Sequence, residues 1–167
     1  MVARLTLGSP KHAGVHADAV LLVGDADALR AQFGAARTDD ETAYAAVPAA
    51  QALPRATPAE RALRTERLQA ALTGAAAAPL HAAELAGRLL ALCERAAALR
   101  NRYLTSDVAC ALHFGHAALE ASAANVRINH HYMKDAQLVG EQSERLRATL
   151  ESAARFEAAA RALIASE

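Results

Sequence analysis

The amino-acid sequence predicts an all-α protein, an up-and-down bundle of about five long helices in a single domain over residues 1–167. Three observations support this fold class. Hydrophobic residues make up 53% of the chain but aromatic residues only 4%, because alanine, the best helix former, supplies the difference. β-branched residues are few, and no stretch alternates apolar with polar side chains for long, as a half-buried strand would. Apolar residues recur instead at the spacing of a helix face.

Two helices are predicted in the first part of the chain. The first covers Met1 to Leu7 and is ended by the Gly-Ser-Pro run at residues 8–10. The second runs from about His16 to Ala46, and Pro48 is expected to end or kink it. Asp40 interrupts the apolar line of this second helix. The apolar members of the line are Leu22, Ala26, Leu29, Phe33, Ala36, Ala43 and Val47.

The helix that follows has the clearest start in the sequence. Thr57 is its predicted N-cap, and Pro58 occupies the first helical position. Glu60 stands three residues after Thr57, where its side chain can close a capping box.

A break is predicted in the middle of the chain. Gly74 and Pro79 both disfavour the interior of a helix. We therefore expect a separate helix from about Leu80 to Leu99, followed by a short connection over residues 100–105.

The last two helices also have recognisable starts. One is predicted from Ser106 to Tyr132, with Thr105 or Ser106 as its cap. Asp107 lies in its first turn, where a carboxylate complements the helix dipole. Asp135 caps a final helix that extends to about Ser166. Its predicted inward residues are Leu138, Leu146, Leu150, Ala153, Phe156 and Leu163.

Two asparagines in the helix from Ser106 to Tyr132 require an explanation. Asn125 falls on the apolar line of that helix, and Asn129 lies one turn further on. Asparagine is a poor helix former, because its amide competes for backbone hydrogen bonds. The pair is either a set of buried polar residues bonded to a neighbouring helix or a pair of amides directed at a polar ligand. The line consists of Phe114, Ala118, Ala121, Asn125, Ile128 and Tyr132.

Asp40 is the candidate acid. A carboxylate held against an apolar surface has its charged form disfavoured, which suits a group that exchanges protons near neutral pH. Alternatively, Asp39, Asp40 and Glu41 form a solvated acidic run.

A metal site is not favoured by the sequence. His113, His116 and Glu120 share a helix face, but one helix supplies all three and no further ligand is indicated. Cys93 and Cys110 fall in apolar helical patterns and are predicted to be small core residues in a reducing compartment.

Composition restricts the partners and the location. A formal net charge of +0 argues against binding to nucleic acid, which normally requires a basic face. No apolar run is long enough to span a bilayer, and the N-terminus lacks a signal-peptide pattern. We therefore expect a soluble, cytoplasmic protein without a membrane partner.

Several segments together resemble the formiminotetrahydrofolate cyclodeaminase / methenyltetrahydrofolate cyclohydrolase family of all-helical folate enzymes. Their order and spacing match that family across nearly the whole chain, so the resemblance is more specific than any single motif. The segments are Arg4-Leu5-Thr6-Leu7-Gly8, Asp40-Glu41-Thr42-Ala43-Tyr44, Leu53-Pro54-Arg55-Ala56-Thr57-Pro58-Ala59-Glu60, Pro79-Leu80, Asn101 with Ser106-Asp107, and Asn125-Val126-Arg127-Ile128-Asn129 with Asp135.

The resemblance implies one of two reactions on a tetrahydrofolate derivative. Family members either close 5-formiminotetrahydrofolate to 5,10-methenyltetrahydrofolate with loss of ammonia, or hydrolyse the methenyl ring to 10-formyltetrahydrofolate. The resemblance does not choose between them. It implies a homodimer that forms through helix packing, and no metal or cofactor beyond the tetrahydrofolate substrate.

The resemblance also implies site residues. The catalytic acid of the family's Asp-x-x-x-[Phe/Tyr] motif falls on Asp40. Amides can pair with the donors and acceptors of a pterin edge, and cations can attract the folate carboxylates. The predicted substrate-binding residues are Lys11, Tyr44, Asn101, Asp107, Asn125 and Asn129.

The sequence departs from the family pattern at several positions. A Pro-Gly-Gly-Gly-Ser segment and most of the helix after it have no counterpart before Met1, which suggests a start assigned too far downstream. Arg100 stands where a glycine usually precedes the asparagine, His12 stands where an aromatic residue is usual, and Pro48 lies inside the second helix. These departures leave a second possibility, an inactive helical interaction domain or a remnant of the family.

Overall fold

The computed structural model describes residues 1–166 and confirms the predicted all-α fold. These residues form five α-helices and no strand. The helices are α1 (Val2–Leu7), α2 (His16–Gln51), α3 (Pro58–Ala98), α4 (Thr105–Tyr132) and α5 (Ala136–Ala165). Short 3-10 turns at Pro10–Val15 and Arg102–Leu104 lead into α2 and α4.

Helix α3 is the centre of the bundle, because α2, α4 and α5 all pack against it. It has 41 residues, which corresponds to a length of about 60 Å. Its second half is the most buried part, where Leu80, Leu85 and Leu90 are at most 1% exposed. The core that it forms with α4 and α5 consists mainly of leucine and alanine. The small side chain of alanine lets the helices approach closely.

Two predicted helix ends were wrong. Helix α2 continues through Pro48 to Gln51, and α3 continues through both Gly74 and Pro79. A proline removes one helical hydrogen bond and costs roughly 3 kcal/mol in an isolated helix. Pro79 is itself buried in the core beside Leu80, so packing offsets that local cost.

The buried face of α4 also differs from the predicted one. Its core-facing residues are Val108, Leu112, Gly115, Leu119, Ala123 and Val126. On the predicted line, Phe114 is 76% exposed and Ile128 is 53% exposed. Gly115 explains which face packs inward: a Cβ atom at this position would lie 3.0 Å from Cδ2 of Leu90. The helix therefore has two apolar faces, and the one with the glycine approaches α3.

The helix caps follow the sequence in part. The capping box of α3 is confirmed, with Glu60 N–H donating to Thr57 Oγ1 (3.2 Å) and Thr57 N–H donating to Glu60 Oε2 (2.8 Å). Asp135 caps α5 by accepting from Leu138 N–H. The predicted cap of α4 was wrong, since its N-cap is Leu104 and no side chain caps it.

The two cysteines lie in different environments. Cys93 is buried as predicted, and burial raises the pKa of its thiol to about 11. Cys110 is exposed on α4, so its predicted place in the core was wrong. Both thiols are free.

Candidate functional site

A cavity of about 390 Å³ opens between α2, α3 and α4, near the C-terminal ends of α2 and α4. Between Ala36 and Ala50, no residue of α2 is buried. The cavity is lined by Asp40, Tyr44, Val47, Pro48 and Gln51 from α2, by Ala75 and Pro79 from α3, and by Asn125, Ile128 and Asn129 from α4.

Four of the seven predicted site residues meet in this cavity. Asp40 and Tyr44 lie on one wall, and Asn125 and Asn129 lie on the wall formed by α4. The two pairs are more than 80 positions apart in the sequence, so only the packing of α2 and α4 around α3 brings them together. A carboxylate, a phenol and two amides thus share a cavity whose other walls are mostly apolar.

Asp40 is exposed in the single chain, so the expectation that it lies buried on an apolar surface was wrong. The helical line that holds Asp40 does face the neighbouring helices, as predicted. At this level the line faces the cavity, and no residue of α2 between Ala36 and Ala50 is buried. Tyr44, one turn further along, is likewise 76% exposed.

Asn129 has a defined orientation. Its Nδ2 donates to the backbone carbonyl of Ala75 on α3 and to that of Asn125 on its own helix, both at 2.9 Å. The first of the two alternatives, a bond to a neighbouring helix, therefore holds for this nitrogen. Asn125 is exposed, and its amide has no hydrogen-bond partner among the residues that the structure describes.

The other three predicted site residues lie outside the cavity. Lys11 is exposed in the 3-10 turn before α2, and Asp107 is half-buried in the first turn of α4. Asp107 and Asn125 are 18 residues apart on one helix, a separation of about 27 Å. Asn101 is 9% exposed, and its Nδ2 donates to Thr6 Oγ1 at 3.0 Å. That bond ties α1 to the connection between α3 and α4.

Gln51 lines the cavity but was missed from the sequence. It falls on the face of α2 that also holds Asp40, Tyr44 and Val47, at spacings of four, three and four residues. The predicted end of the helix at Pro48 removed Gln51 from consideration. A continuous helix through the proline identifies it at once.

The metal grouping considered from the sequence is not assembled. His116 instead pairs with Glu157 on α5, with 2.9 Å between Nδ1 and Oε2. Within residues 1–166, no three histidine, cysteine, aspartate or glutamate side chains come together in a way that would hold a metal ion. None of the helices described is both long and apolar enough to cross a bilayer.

Comparison with known proteins gives consistent matches over most of the chain. The family model described as formiminotransferase-cyclodeaminase matches residues 1–148. The methenyltetrahydrofolate cyclohydrolase of Methylorubrum extorquens is 31% identical over 153 residues, which are 92% of this chain and 74% of that protein. The solved structure of formiminotetrahydrofolate cyclodeaminase from Thermotoga maritima superimposes with a TM-score of 0.86 at 22% identity, covering 99% of this chain and 79% of the other. That structure shares the fold of this chain.

Proposed function

Because the chain belongs to the formiminotransferase-cyclodeaminase family, we propose that it is an enzyme acting on a tetrahydrofolate derivative, as a methenyltetrahydrofolate cyclohydrolase or a formiminotetrahydrofolate cyclodeaminase. The observation that supports this most strongly is the cavity shared by Asp40, Tyr44, Asn125 and Asn129. Its volume of about 390 Å³ lies within the range of roughly 300–1,000 Å³ found for small-molecule sites.

In this proposal Asp40 is the general acid and base. In the hydrolysis, water attacks the one-carbon centre of the cationic methenyl ring, and the Asp40 carboxylate accepts a proton from it. The carboxyl then returns that proton to the ring nitrogen as its bond to the carbon breaks. The second proton of the water is released to solvent, which leaves a neutral formyl product.

The same group suits the cyclodeamination. There the second folate nitrogen attacks the formimino carbon, and the departing nitrogen must be protonated before it leaves as ammonia. In the protonated, amidinium form of the formimino group the departing nitrogen already carries two protons. Asp40 can take the proton from the attacking nitrogen and deliver it to the leaving one as the third, so that ammonia departs as the methenyl cation forms. One carboxyl therefore serves both reactions, and the cavity does not distinguish them.

We further propose that the protein is a homodimer that forms through the outer face of α4. Exposed apolar residues recur on that helix at alternating spacings of four and three, the pattern of a helix that packs along another. The residues are Cys110, Phe114, Ala117, Ala121, Ala124 and Ile128. Ile128 also lines the cavity, so a second copy packed here would cover its mouth and reduce the exposure of Asp40.

Both cysteines are free thiols, which is consistent with our proposal of a cytoplasmic location.

The proposal is tested by assaying the purified protein with both substrates. Loss of the methenyl absorbance measures the cyclohydrolase, and ammonia released from 5-formiminotetrahydrofolate measures the cyclodeaminase. We expect turnover of at least one substrate. A protein that binds tetrahydrofolate but turns over neither compound would support the alternative, an inactive remnant of the family.

A further inference from the structure

Both amide hydrogens of Asn129 are hydrogen-bonded to backbone carbonyls of the protein. A side-chain amide carries two N–H donors and one carbonyl acceptor. The two donors of Asn129 are used at 2.9 Å by the carbonyls of Ala75 and Asn125. The opposite orientation of the amide is excluded, since it would place Oδ1 against two carbonyl oxygens. The polar atom that Asn129 has left to offer the cavity is therefore Oδ1, a hydrogen-bond acceptor.

Pro79 explains why the carbonyl of Ala75 is available. In a continuous α-helix this carbonyl would accept from the N–H of residue 79, four positions later. Proline has no N–H, so the helical bond to Ala75 is missing. The Asn129 side chain from α4 takes the place of that donor. Ala75, Pro79 and Asn129 all line the cavity, so this replacement takes place at its wall.

We propose that Asn129 is a specificity residue that accepts a hydrogen bond from an N–H group of the ligand, and that Pro79 is the positioning residue that fixes this polarity. The inference rests on the proposed function and makes it more specific. A reduced pterin has N–H groups along its edge, whereas a ligand presenting only acceptors there would meet the Oδ1 lone pairs. The side-chain amide of Asn125 can act as a donor or as an acceptor, because it makes no hydrogen bond to the residues that the structure describes.

The direct test is a crystal structure of the protein with 5-formyltetrahydrofolate, a substrate-like ligand. We expect a pterin N–H within about 3.2 Å of Asn129 Oδ1, with Nδ2 still bonded to the carbonyls of Ala75 and Asn125. A ligand acceptor bonded to Nδ2, or a pterin bound without contact to Asn129, would overturn the inference. Turnover measured in parallel separates this failure from a failure of the proposed function, since an active enzyme with the wrong contact disproves only the polarity.

Binding constants for the same ligand give a second test. We expect Asn129→Ala to weaken binding about tenfold, the loss of one well-formed hydrogen bond. Pro79→Ala restores a competing N–H for the Ala75 carbonyl, so it should weaken binding about threefold and raise KM while kcat stays near that of the wild type. Ser122→Ala, a change on α4 outside the cavity, should leave binding unchanged. Circular dichroism verifies that each variant is folded. Folded Asn129→Ala and Pro79→Ala variants with wild-type affinity would contradict the inference.

Discussion

Arg100 holds a backbone conformation that glycine adopts more easily, with a φ of 52°. Its guanidinium Nη1 donates to Leu163 O (3.2 Å) and Ser166 Oγ (2.6 Å), which joins the end of α3 to the end of α5. The resemblance described from the sequence implies a glycine at this position, which would need no such compensation. Arg100 thus has a strained backbone, and its side chain hydrogen-bonds the end of α5.

This combination predicts an unusual order of stability at position 100. Arg100→Gly loses the two hydrogen bonds but also the strain, whereas Arg100→Ala loses the bonds and keeps the strain. We expect the glycine variant to be more stable than the alanine variant by about 1 kcal/mol, the cost of the left-handed conformation for a residue with a Cβ atom. Urea unfolding of both variants measures the difference. An alanine variant as stable as the glycine variant would show that the backbone here is unstrained.

Single residues also show where prediction of the site succeeds and where it stops. Asp40 and Asn125 were recognisable because each is a polar side chain on a helical line that is otherwise apolar, and Asn129 because it is a second poor helix former one turn after Asn125. The resemblance added Tyr44, which meets them in the cavity. The exposure of Asp40 was not predictable, because it depends on how closely α2 packs against the other helices beside the cavity. Packing between helices is a property that periodicity within one helix does not report.

At the scale of helices, the prolines show the limit of local rules. Pro48 and Pro79 were expected to end or break their helices, but both helices continue. At Pro79 tertiary packing outweighs the local penalty, because this proline is buried in the core. Pro48 is exposed, and its helix continues for only three more residues, to Gln51. The same limit applies to α4, whose alanine-rich sequence has two apolar faces. Its periodicity identifies both, but it does not say which one packs inside its own chain.

The capping box of α3 predicts a measurable contribution to stability. Thr57→Ala removes the acceptor for the N–H of Glu60 and should lower the free energy of unfolding by about 1 kcal/mol. Thr65→Ala is the matched control, since this exposed threonine of the same helix bonds only to the carbonyl of Arg61 in its own turn. Thermal or urea unfolding compares the two. Equal losses in both variants would mean that the cap adds nothing.

The ionic link between α4 and α5 predicts a pH dependence. Burial raises the pKa of Glu157, but hydrogen bonds from Arg161 (2.6 Å) and His116 (2.9 Å) outweigh it and leave that pKa below its ordinary value of 4.5. A lowered pKa in the folded state stabilises the fold above the unfolded value, and the stabilisation disappears as the pH falls through the folded one.

We therefore expect Glu157→Gln to be less stable than the wild type at pH 7, with a gap that narrows as the pH falls below the ordinary carboxyl value of 4.5. Unfolding in urea across this range measures the difference, with Glu66→Gln, an exposed carboxylate of α3, as the control. A stability gap at Glu157 that stays constant from pH 7 to pH 3 would contradict the pairing.

For the molecule as a whole, the fold class was predictable from the sequence, whereas the proposed assembly follows from the exposed surface of the structure. Alanine content and helical spacing were sufficient for the bundle, since no competing strand pattern exists in the sequence. The outer face of α4 is apolar but exposed in the single chain. A second copy would explain both this face and the open mouth of the cavity beside Ile128.

The proposed dimer predicts that a charge on this face separates the subunits. Ala121→Glu places a carboxylate in the middle of the apolar line, where a close helix contact would have to bury it. We expect sedimentation equilibrium to give a dimer for the wild type, a monomer for Ala121→Glu, and a dimer for Ala158→Glu, a control at an exposed position of α5. A wild type that is monomeric at all concentrations, or an Ala121→Glu variant that remains dimeric, would contradict this interface.

In the proposed mechanism the Asp40 carboxyl, opposite two amides from α4, performs the proton transfers of the reaction. Its role is tested by comparing kcat and substrate affinity for Asp40→Asn and Asp39→Asn. Asp39 is the adjacent exposed carboxylate that does not line the cavity. We expect Asp40→Asn to lower kcat by at least about 100-fold with little change in affinity, while Asp39→Asn retains nearly full activity. Full activity in the Asp40→Asn variant would contradict it.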